Sequence, residues 1–422
     1  MADTKEGLMR REDIEATLRP FDQASPLAGP VYRDAAILEA EFDRIFLEMW
    51  LCVGHQDAVR HAGDFVMREI GGESVLVVRD RDGSLGAFYN VCRHRGTRLI
   101  DDSAGGGIDC IRCPYHGWSY GLDGGLIAAP LMDGVSGFDK ADYPLRAIRC
   151  DTWEGFVFVN FEADAAPLGE YLADFPDVSR FAMADMRLGA THEYEIAANW
   201  KLVCENYGEC YHCPSNHPQL NPISNFQSGG DSVEGSSFCG GPMRLNEGCV
   251  TMTMDGQTKR DPIAGLPPED LRQVHYFNIY PAFLLSLHPD YVLTHTIWPL
   301  AADRSFIRCE WLFTAEAVAR DDFDPSDAVD FWHLTNEQDW AICERAQKGV
   351  RSRAYVPGRY QGLEETIYFF DNWYLRAMEA ALSGMEPALA GEVGVSSQDA
   401  AGAVPGAAAP VAEATTSEDG GA

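Results

Sequence analysis

Two short runs each pair a thiol with an imidazole. The first is Cys92-Arg93-His94 and the second is Cys113-Pro114-Tyr115-His116, with 18 residues between His94 and Cys113. Such clusters bind metal, and two readings stay open. Zinc accepts two thiolates and two imidazoles, but its common sites group like ligands as C-x2-C or H-x3-H. One thiolate and one imidazole per loop suits instead a [2Fe–2S] cluster in which both sulfurs hold one iron and both imidazoles the other. Neutral imidazoles lift the reduction potential of such a cluster to roughly −150 to +300 mV, so it can accept an electron and pass it on. Cys110, three residues before Cys113, reads as structural because Cys113 already has its partner in His116.

A second group follows in Glu209-Cys210-Tyr211-His212-Cys213-Pro214-Ser215-Asn216-His217. His212 and His217 stand five apart, a poor match on a regular helix, where i and i+4 are neighbours. A helix ending near Pro214 would let His217 swing back onto the same metal. Two imidazoles and a carboxylate form the facial triad of non-haem Fe(II) sites. The alternatives are two core histidines, or zinc held together with Cys210 and Cys213. Far along the chain, the segment Asn336–Gly349 offers acids on a helical pattern. Glu337 points about 200° away from Asp339 on a helix, so the two cannot serve one ion. By default Asp330 and Glu344 are surface charges.

These residues need elements to position them. Residues 34–50 place Ile37, Leu38, Phe42, Ile45, Phe46 and Met49 at helical spacing. From there the texture is of short β-runs, such as Ser74–Val78 and Phe156–Phe161, punctuated by Asp-Gly turns. Residues 46–163 therefore read as a small all-β domain, preceded by an N-terminal helical segment over 1–45. Tyr276–Leu287, Tyr291–Leu300 and Phe306–Phe313 predict strands. Helices are predicted over Pro325–Lys348, with Gly349 as a stop, and over Glu364–Met378. Residues 164–382 read as an α+β domain around an antiparallel sheet. From Ser383 the chain is rich in Ala, Gly, Pro and Ser, with six acids and no Lys or Arg, which predicts a disordered acidic tail over 383–422.

The 422 residues carry 33 Lys and Arg against 65 Asp and Glu, a net charge of −32. That balance argues against nucleic acid and anionic membranes as partners, while cationic ligands or basic proteins remain compatible. The N-terminus lacks the apolar stretch of a secretory signal, and no run of about 18 apolar residues would span a bilayer. A cytoplasmic protein is expected, and its 12 cysteines then point to metal more than to disulfides. The run Gly105-Gly106-Gly107 lacks the strand–G-x-G-x-x-G–helix context of a dinucleotide site.

The run NVCRHRGTRLI…CIRCPYHGWSYGLDGGL resembles the Rieske domain of ring-hydroxylating and N-demethylating oxygenases. The Glu209–His217 stretch is similar to the mononuclear iron motif of the same family, and Asn336–Gly349 to its late acidic segment. The likeness covers about residues 34–380. It implies a Rieske domain joined to a larger helix-grip, START-like catalytic domain. Cys92, His94, Cys113 and His116 would hold a [2Fe–2S] cluster, and His212, His217 and Asp339 a mononuclear Fe(II). Glu209 would bridge an iron-ligand histidine to a cluster-ligand histidine of a neighbouring subunit. Many members have Asp there, and the branch acting on quaternary amines often has Glu. Asn206 sits one residue nearer the histidine than the family's Asn and takes no role. The resemblance further implies a trimer or a multiple of trimers. It also implies electrons from a separate NAD(P)H-oxidising flavin or iron–sulfur reductase, or a ferredoxin, and O2 as co-substrate.

ECYHC, SLHPDYVLTH and QKGVRSRAYVPGRYQGLEE look like the choline, glycine betaine and carnitine branch. Hydroxylation or N-demethylation of a betaine-like amine is the expectation, with aromatic-ring hydroxylation as the alternative. An aromatic cage for the cation has candidates in Phe277, Tyr280, Phe283, Tyr291, Trp298, Trp311, Tyr368 and Trp373. A non-catalytic electron carrier is the reading from another class, but it has no use for His212, His217 and Asp339.

Overall fold

The computed structural model describes residues 7–229 and 232–383. The predicted tail lies, from residue 384, outside the described residues. Among the described residues no helix is long and apolar enough to cross a membrane.

The β-rich first half forms two sheets. One is seven-stranded, in the order β1-β10-β9-β4-β3-β2-β5. Its strands are β1 (Leu51–His55), β2 (Phe65–Ile70), β3 (Glu73–Arg79), β4 (Leu85–Tyr89), β5 (Ala104–Gly105), β9 (Ala147–Trp153) and β10 (Phe156–Asn160). A three-stranded sheet of β6 (Ile111–Arg112), β7 (Ser119–Tyr120) and β8 (Leu126–Ala128) stands apart from it. Val75–Val78 is a continuous apolar run because both faces of β3 are covered, and all four residues are buried.

The second half is built on an antiparallel sheet in the order β11-β17-β16-β15-β14-β13-β12. Its strands are β11 (Arg187–Ile196), β12 (Val233–Glu234), β13 (Phe238–Arg244), β14 (Gln273–Ile279), β15 (Phe283–Leu287), β16 (Val292–Ala301) and β17 (Arg304–Phe313). The run expected as one strand over Tyr276–Leu287 divides into β14 and β15. The chain turns at Tyr280–Ala282, and the two strands pair Tyr276 with Ser286 and Asn278 with Leu284.

The period of two along β14 sends Tyr276 and Asn278 to one face and Phe277 and Ile279 to the other. Phe277, Phe283, Leu285, Leu287, Val292 and Leu312 form one apolar cluster with Phe156 and Phe158 of β10. The rings of Phe156 and Phe283 stand 5.1 Å apart. The opposite face is covered by the helices Trp200–Tyr207 and Ser326–Val350. There Trp340 lies 5.8 Å from the Tyr194 ring of β11, and the Trp332 indole donates to the Tyr291 hydroxyl at 2.7 Å.

The long helix runs over Ser326–Val350, past Gly349, which was expected to stop it. Phe331, Trp332, Thr335, Asn336, Trp340, Cys343 and Gln347 are buried along it, a stripe at helical spacing. The last long helix is Glu365–Ala377. Residues 35–41 are helical as their spacing predicts, and a wider helical turn continues them over 42–46. This N-terminal segment is tied to the second half. Glu41 accepts from the Trp200 indole, the Tyr374 hydroxyl and the Lys201 ammonium, and Tyr32 donates to Glu205.

Candidate metal centres and the adjoining cavity

Two loops of like construction bring the first four candidate ligands together. One follows β4 and the other joins β6 to β7. In each, a glycine four residues after the cysteine donates its N–H to the cysteine carbonyl, Gly96 to Cys92 at 3.0 Å and Gly117 to Cys113 at 3.2 Å. Both glycines have positive φ, +73° and +72°, which other residues adopt at a cost. The thiols of Cys92 and Cys113 point inward and are 3% and 2% exposed. The imidazoles lie outward, His94 half-buried and His116 exposed, with their Nδ1 atoms 3.2 Å apart. Two converging thiols on a buried side and two converging ring nitrogens on an open side fit a mixed-ligand iron–sulfur cluster.

The neighbours of the loops sort themselves by burial. Trp118 is buried and stacks on His94 at 4.8 Å, whereas Tyr115 is exposed, with its ring against His116. The hydroxyl that reaches a sulfur is that of Tyr120, 3.3 Å from Cys92 Sγ and 3.0 Å from the Arg93 N–H. The sequence reading passed over Tyr120. Its position two residues after Trp118, in β7, was the available signal. Cys110 is a free thiol.

The second centre begins where the helix Trp200–Tyr207 ends. Asn199 caps that helix by accepting the Lys201 N–H. The chain turns through Gly208–His212, forms one short helix over Cys213–Asn216, and releases His217 from its end. The five-residue separation is bridged in this way. His212 Nε2 and His217 Nε2 lie 3.1 Å apart, and Asp339 Oδ1 is 3.3 Å from the first and 2.9 Å from the second. Ligands at adjacent corners of an octahedral ion are about 3.0 Å apart for bonds near 2.1 Å. Each imidazole has its other nitrogen engaged. His212 Nδ1 donates to Glu209 Oε1 at 2.6 Å and His217 Nδ1 to Gln338 Oε1 at 2.7 Å, which leaves both Nε2 atoms facing Asp339.

Burial lowers the His212 imidazole, but hydrogen bonds to Asp339 and then Glu209 outweigh it and hold it up at about 10. Burial raises the Asp339 carboxyl, and the two histidines bring it below its ordinary value. Metal binding requires the His212 ring to give up its proton. Glu337 is exposed, in keeping with its place on the helix. Cys213 Sγ lies within 4.8 Å of both imidazoles, but it is bonded to Cys210 in a disulfide. The zinc quartet of two thiolates and two imidazoles is therefore not assembled. Among the described residues no hydrogen bond joins Glu209 to His94 or His116 of the same chain.

A cavity of about 110 Å³ opens beside this triad, lined by His212, His217, Asp339 and Glu209 on one side. Its aromatic walls are Tyr207, Phe226, Tyr276 and Trp332. None of the eight aromatics expected for a cage lines it. Phe277 and Phe283 are on the opposite face of the sheet, and Tyr280, Tyr291 and Trp311 are buried in the core. The residue that does face the cavity is Tyr276, one position before Phe277. Gly241 of β13 is its register partner, and the missing side chain there leaves the ring uncovered.

Behind the helix Trp200–Tyr207, half-buried Glu205 and fully buried Asp371 are close enough to interact. Burial, then Asp371, raises the Glu205 carboxyl well above its usual range, and burial pushes Asp371 up to about 7. Tyr32 donates to Glu205 at 2.8 Å and Tyr360 to Asp371 at 2.6 Å.

Comparison with known proteins adds independent findings. The profile of the Rieske [2Fe-2S] domain matches residues 49–139, and that of the ring hydroxylating alpha subunit (catalytic domain) matches residues 183–380. The chain is similar to the glycine betaine monooxygenase oxygenase subunit of Pseudomonas aeruginosa, with 31% identity over 393 residues, 86% of this chain and 91% of the relative. It is also similar to the carnitine monooxygenase oxygenase subunit of Escherichia coli K12, with 30% identity over 345 residues, 79% of this chain and 86% of the relative. Among solved structures, the quaternary ammonium Rieske monooxygenase CntA in complex with L-carnitine superposes with a TM-score of 0.72 at 25% identity, covering 87% of this chain and 99% of that one.

Proposed function

The chain belongs to the family of Rieske-type non-haem iron oxygenase alpha subunits, and from that premise we propose that it hydroxylates or oxidatively N-demethylates a quaternary-ammonium compound. It is an oxidoreductase. The observation that carries the proposal is the convergence of His212, His217 and Asp339 on one point at the edge of an aromatic-walled cavity.

In this reading Cys92, Cys113, His94 and His116 hold the cluster, and His212, His217 and Asp339 hold the mononuclear iron. When bound, these groups supply electron transfer and O2 activation. The residues of the chain supply position and charge. Glu209 and Gln338 fix the tautomer and ring orientation of the two histidines. A quaternary ammonium has no N–H to donate, so it is held by aromatic faces and by the charge of nearby carboxylates and not by hydrogen bonds. Tyr207, Phe226, Tyr276 and Trp332 are placed to do so. The cluster-bearing unit is assigned to 46–163 and the catalytic unit to 164–382.

Electrons come from a separate NAD(P)H-oxidising reductase or a ferredoxin, which would approach the outward His94 and His116 edge. Glu209 connects His212 to a cluster histidine of a neighbouring subunit in a trimer or a multiple of trimers. The test is anaerobic reduction of the iron-loaded protein, then one exposure to O2 with a pool of betaines and simple aromatic acids. Formaldehyde with a demethylated amine is the expected result. A hydroxylated ring or diol would replace the quaternary-ammonium reading with aromatic oxygenation.

A further inference from the structure

We infer that Gln219 and Thr335 are positioning residues for the mononuclear iron, and that through Gln338 they lock His217 in the one tautomer that can bind a metal. The inference rests on the reading of His212, His217 and Asp339 as iron ligands and deepens it.

A neutral imidazole carries one proton, and the nitrogen that carries it cannot ligate. His217 must therefore keep its proton on Nδ1 and leave free Nε2, the atom 2.9 Å from Asp339 Oδ1. For His212 the partner of Nδ1 is the Glu209 carboxylate, which when ionised can only accept, so the tautomer is fixed at once. The partner of His217 is an amide, with an oxygen at one end and an NH2 of nearly the same shape at the other. Turned over, Gln338 would donate to Nδ1 and send the imidazole proton to Nε2. His217 is 1% exposed, so bulk solvent does not stand in for the amide.

The neighbours of Gln338 decide which end faces the ring. The Phe331 carbonyl can only accept, so the Thr335 hydroxyl, 2.9 Å from it, spends its one proton there and offers its oxygen elsewhere. That oxygen lies 3.1 Å from Gln219 Nε2 and demands the NH2 end of that side chain. The other N–H of the same group goes to Gln338 Oε1 at 2.8 Å, and the Gln338 amide nitrogen returns to Gln219 Oε1 at 3.3 Å. Gln338 Oε1 is thereby the end that accepts from His217 Nδ1, at 2.7 Å. Thr335 by itself is an ordinary hydroxyl bonded back to the preceding helical turn. With Gln219 in place, each link leaves the next a single orientation. The chain starts at a backbone carbonyl of the helix Ser326–Val350 and ends at the Nε2 lone pair of His217.

The experiment measures the Fe(II) dissociation constant of the mononuclear site by chelator competition, on the anaerobic full chain with its cluster in place. Gln219→Leu should weaken Fe(II) binding at least about tenfold, as changes to residues that orient metal ligands do. Thr335→Val, which removes only the hydroxyl, should act in the same direction, and Thr335→Ser should keep the parental affinity. Gln338→Glu has no donor end to turn over, so the lock becomes redundant. In that background Gln219→Leu and Thr335→Val should each change the affinity by less than about threefold. A merely structural role would carry the loss into both backgrounds. Equal loss in both backgrounds would overturn the inference, as would parental affinity in Gln219→Leu, and either result leaves the ligand assignment standing. A parent protein that takes up no Fe(II) beyond its cluster would remove the ligand assignment and this inference together.

Discussion

His212 and His217 each have one nitrogen committed, to Glu209 and Gln338, and one directed at Asp339. Residue type and spacing marked the histidine pair as metal candidates, and the family resemblance chose that pair and Asp339 as the expected ligands. Gln338 was not legible, because a glutamine on a helix carries no signal until the fold places it against His217. Asp339→Ala should leave the visible spectrum of the cluster unchanged while the iron content falls from about three to about two per chain. Turnover should fall by at least about 100-fold, the upper end of what outer-shell changes alone cost. Normal turnover in this variant would show that another residue is the third ligand.

The strand is the element that chooses the cavity wall. Tyr276 and Phe277 are adjacent aromatics of similar size, and only the register of β14 against β13 and β15 decides which one meets the ligand. Gly241, opposite Tyr276, keeps the space open. Gly241→Val should therefore reduce kcat/KM at least about tenfold, by excluding the substrate, with little change in melting temperature. A variant of unaltered kinetics would mean that the substrate does not lie over Tyr276.

The helix Trp200–Tyr207 is anchored from behind by buried acids. The folded protein raises the Asp371 carboxyl from its ordinary 3.8 to about 7, so it binds that proton more tightly than the unfolded chain does. The associated stability is fully present below about pH 4 and is lost as the pH rises toward 7. Asp371→Asn, which keeps an acceptor for Tyr360, should melt higher than the parent at pH 8, with the gap narrowing at pH 5. A loss of stability at pH 8 would show instead that the ionised carboxylate is needed beside Lys201.

At the scale of the whole molecule, the two centres sit on separate parts of the chain, and the histidine edge of the first is open to solvent. Glu209 holds His212 with both carboxylate oxygens and makes no bond to the cluster histidines of its own chain. Glu209→Gln should retain both metals while slowing reoxidation of the cluster by at least about tenfold in single-turnover mixing. Loss of the cluster in this variant would contradict a bridging role. The N-terminal segment closes the other side, where Glu41 neutralises Lys201 in full burial.

The chemistry of this protein was readable from its sequence because it resides in residue types at short spacing. C-x-H with C-x2-H, and two histidines after an acid, marked candidate metal donors, and the family resemblance chose between the readings that spacing left open. Short apolar β-runs between turns, and apolar residues at helical spacing, likewise predicted the β-rich halves and a long helix. Tertiary structure alone decided what depends on direction. It selected Tyr276 over Phe277, brought Gln338 to His217 and placed Tyr120 on Cys92. Residue type and short spacing are local and chemical, whereas the approach of Asp339 to His217 and the facing of a side chain depend on register and packing between segments distant in the chain.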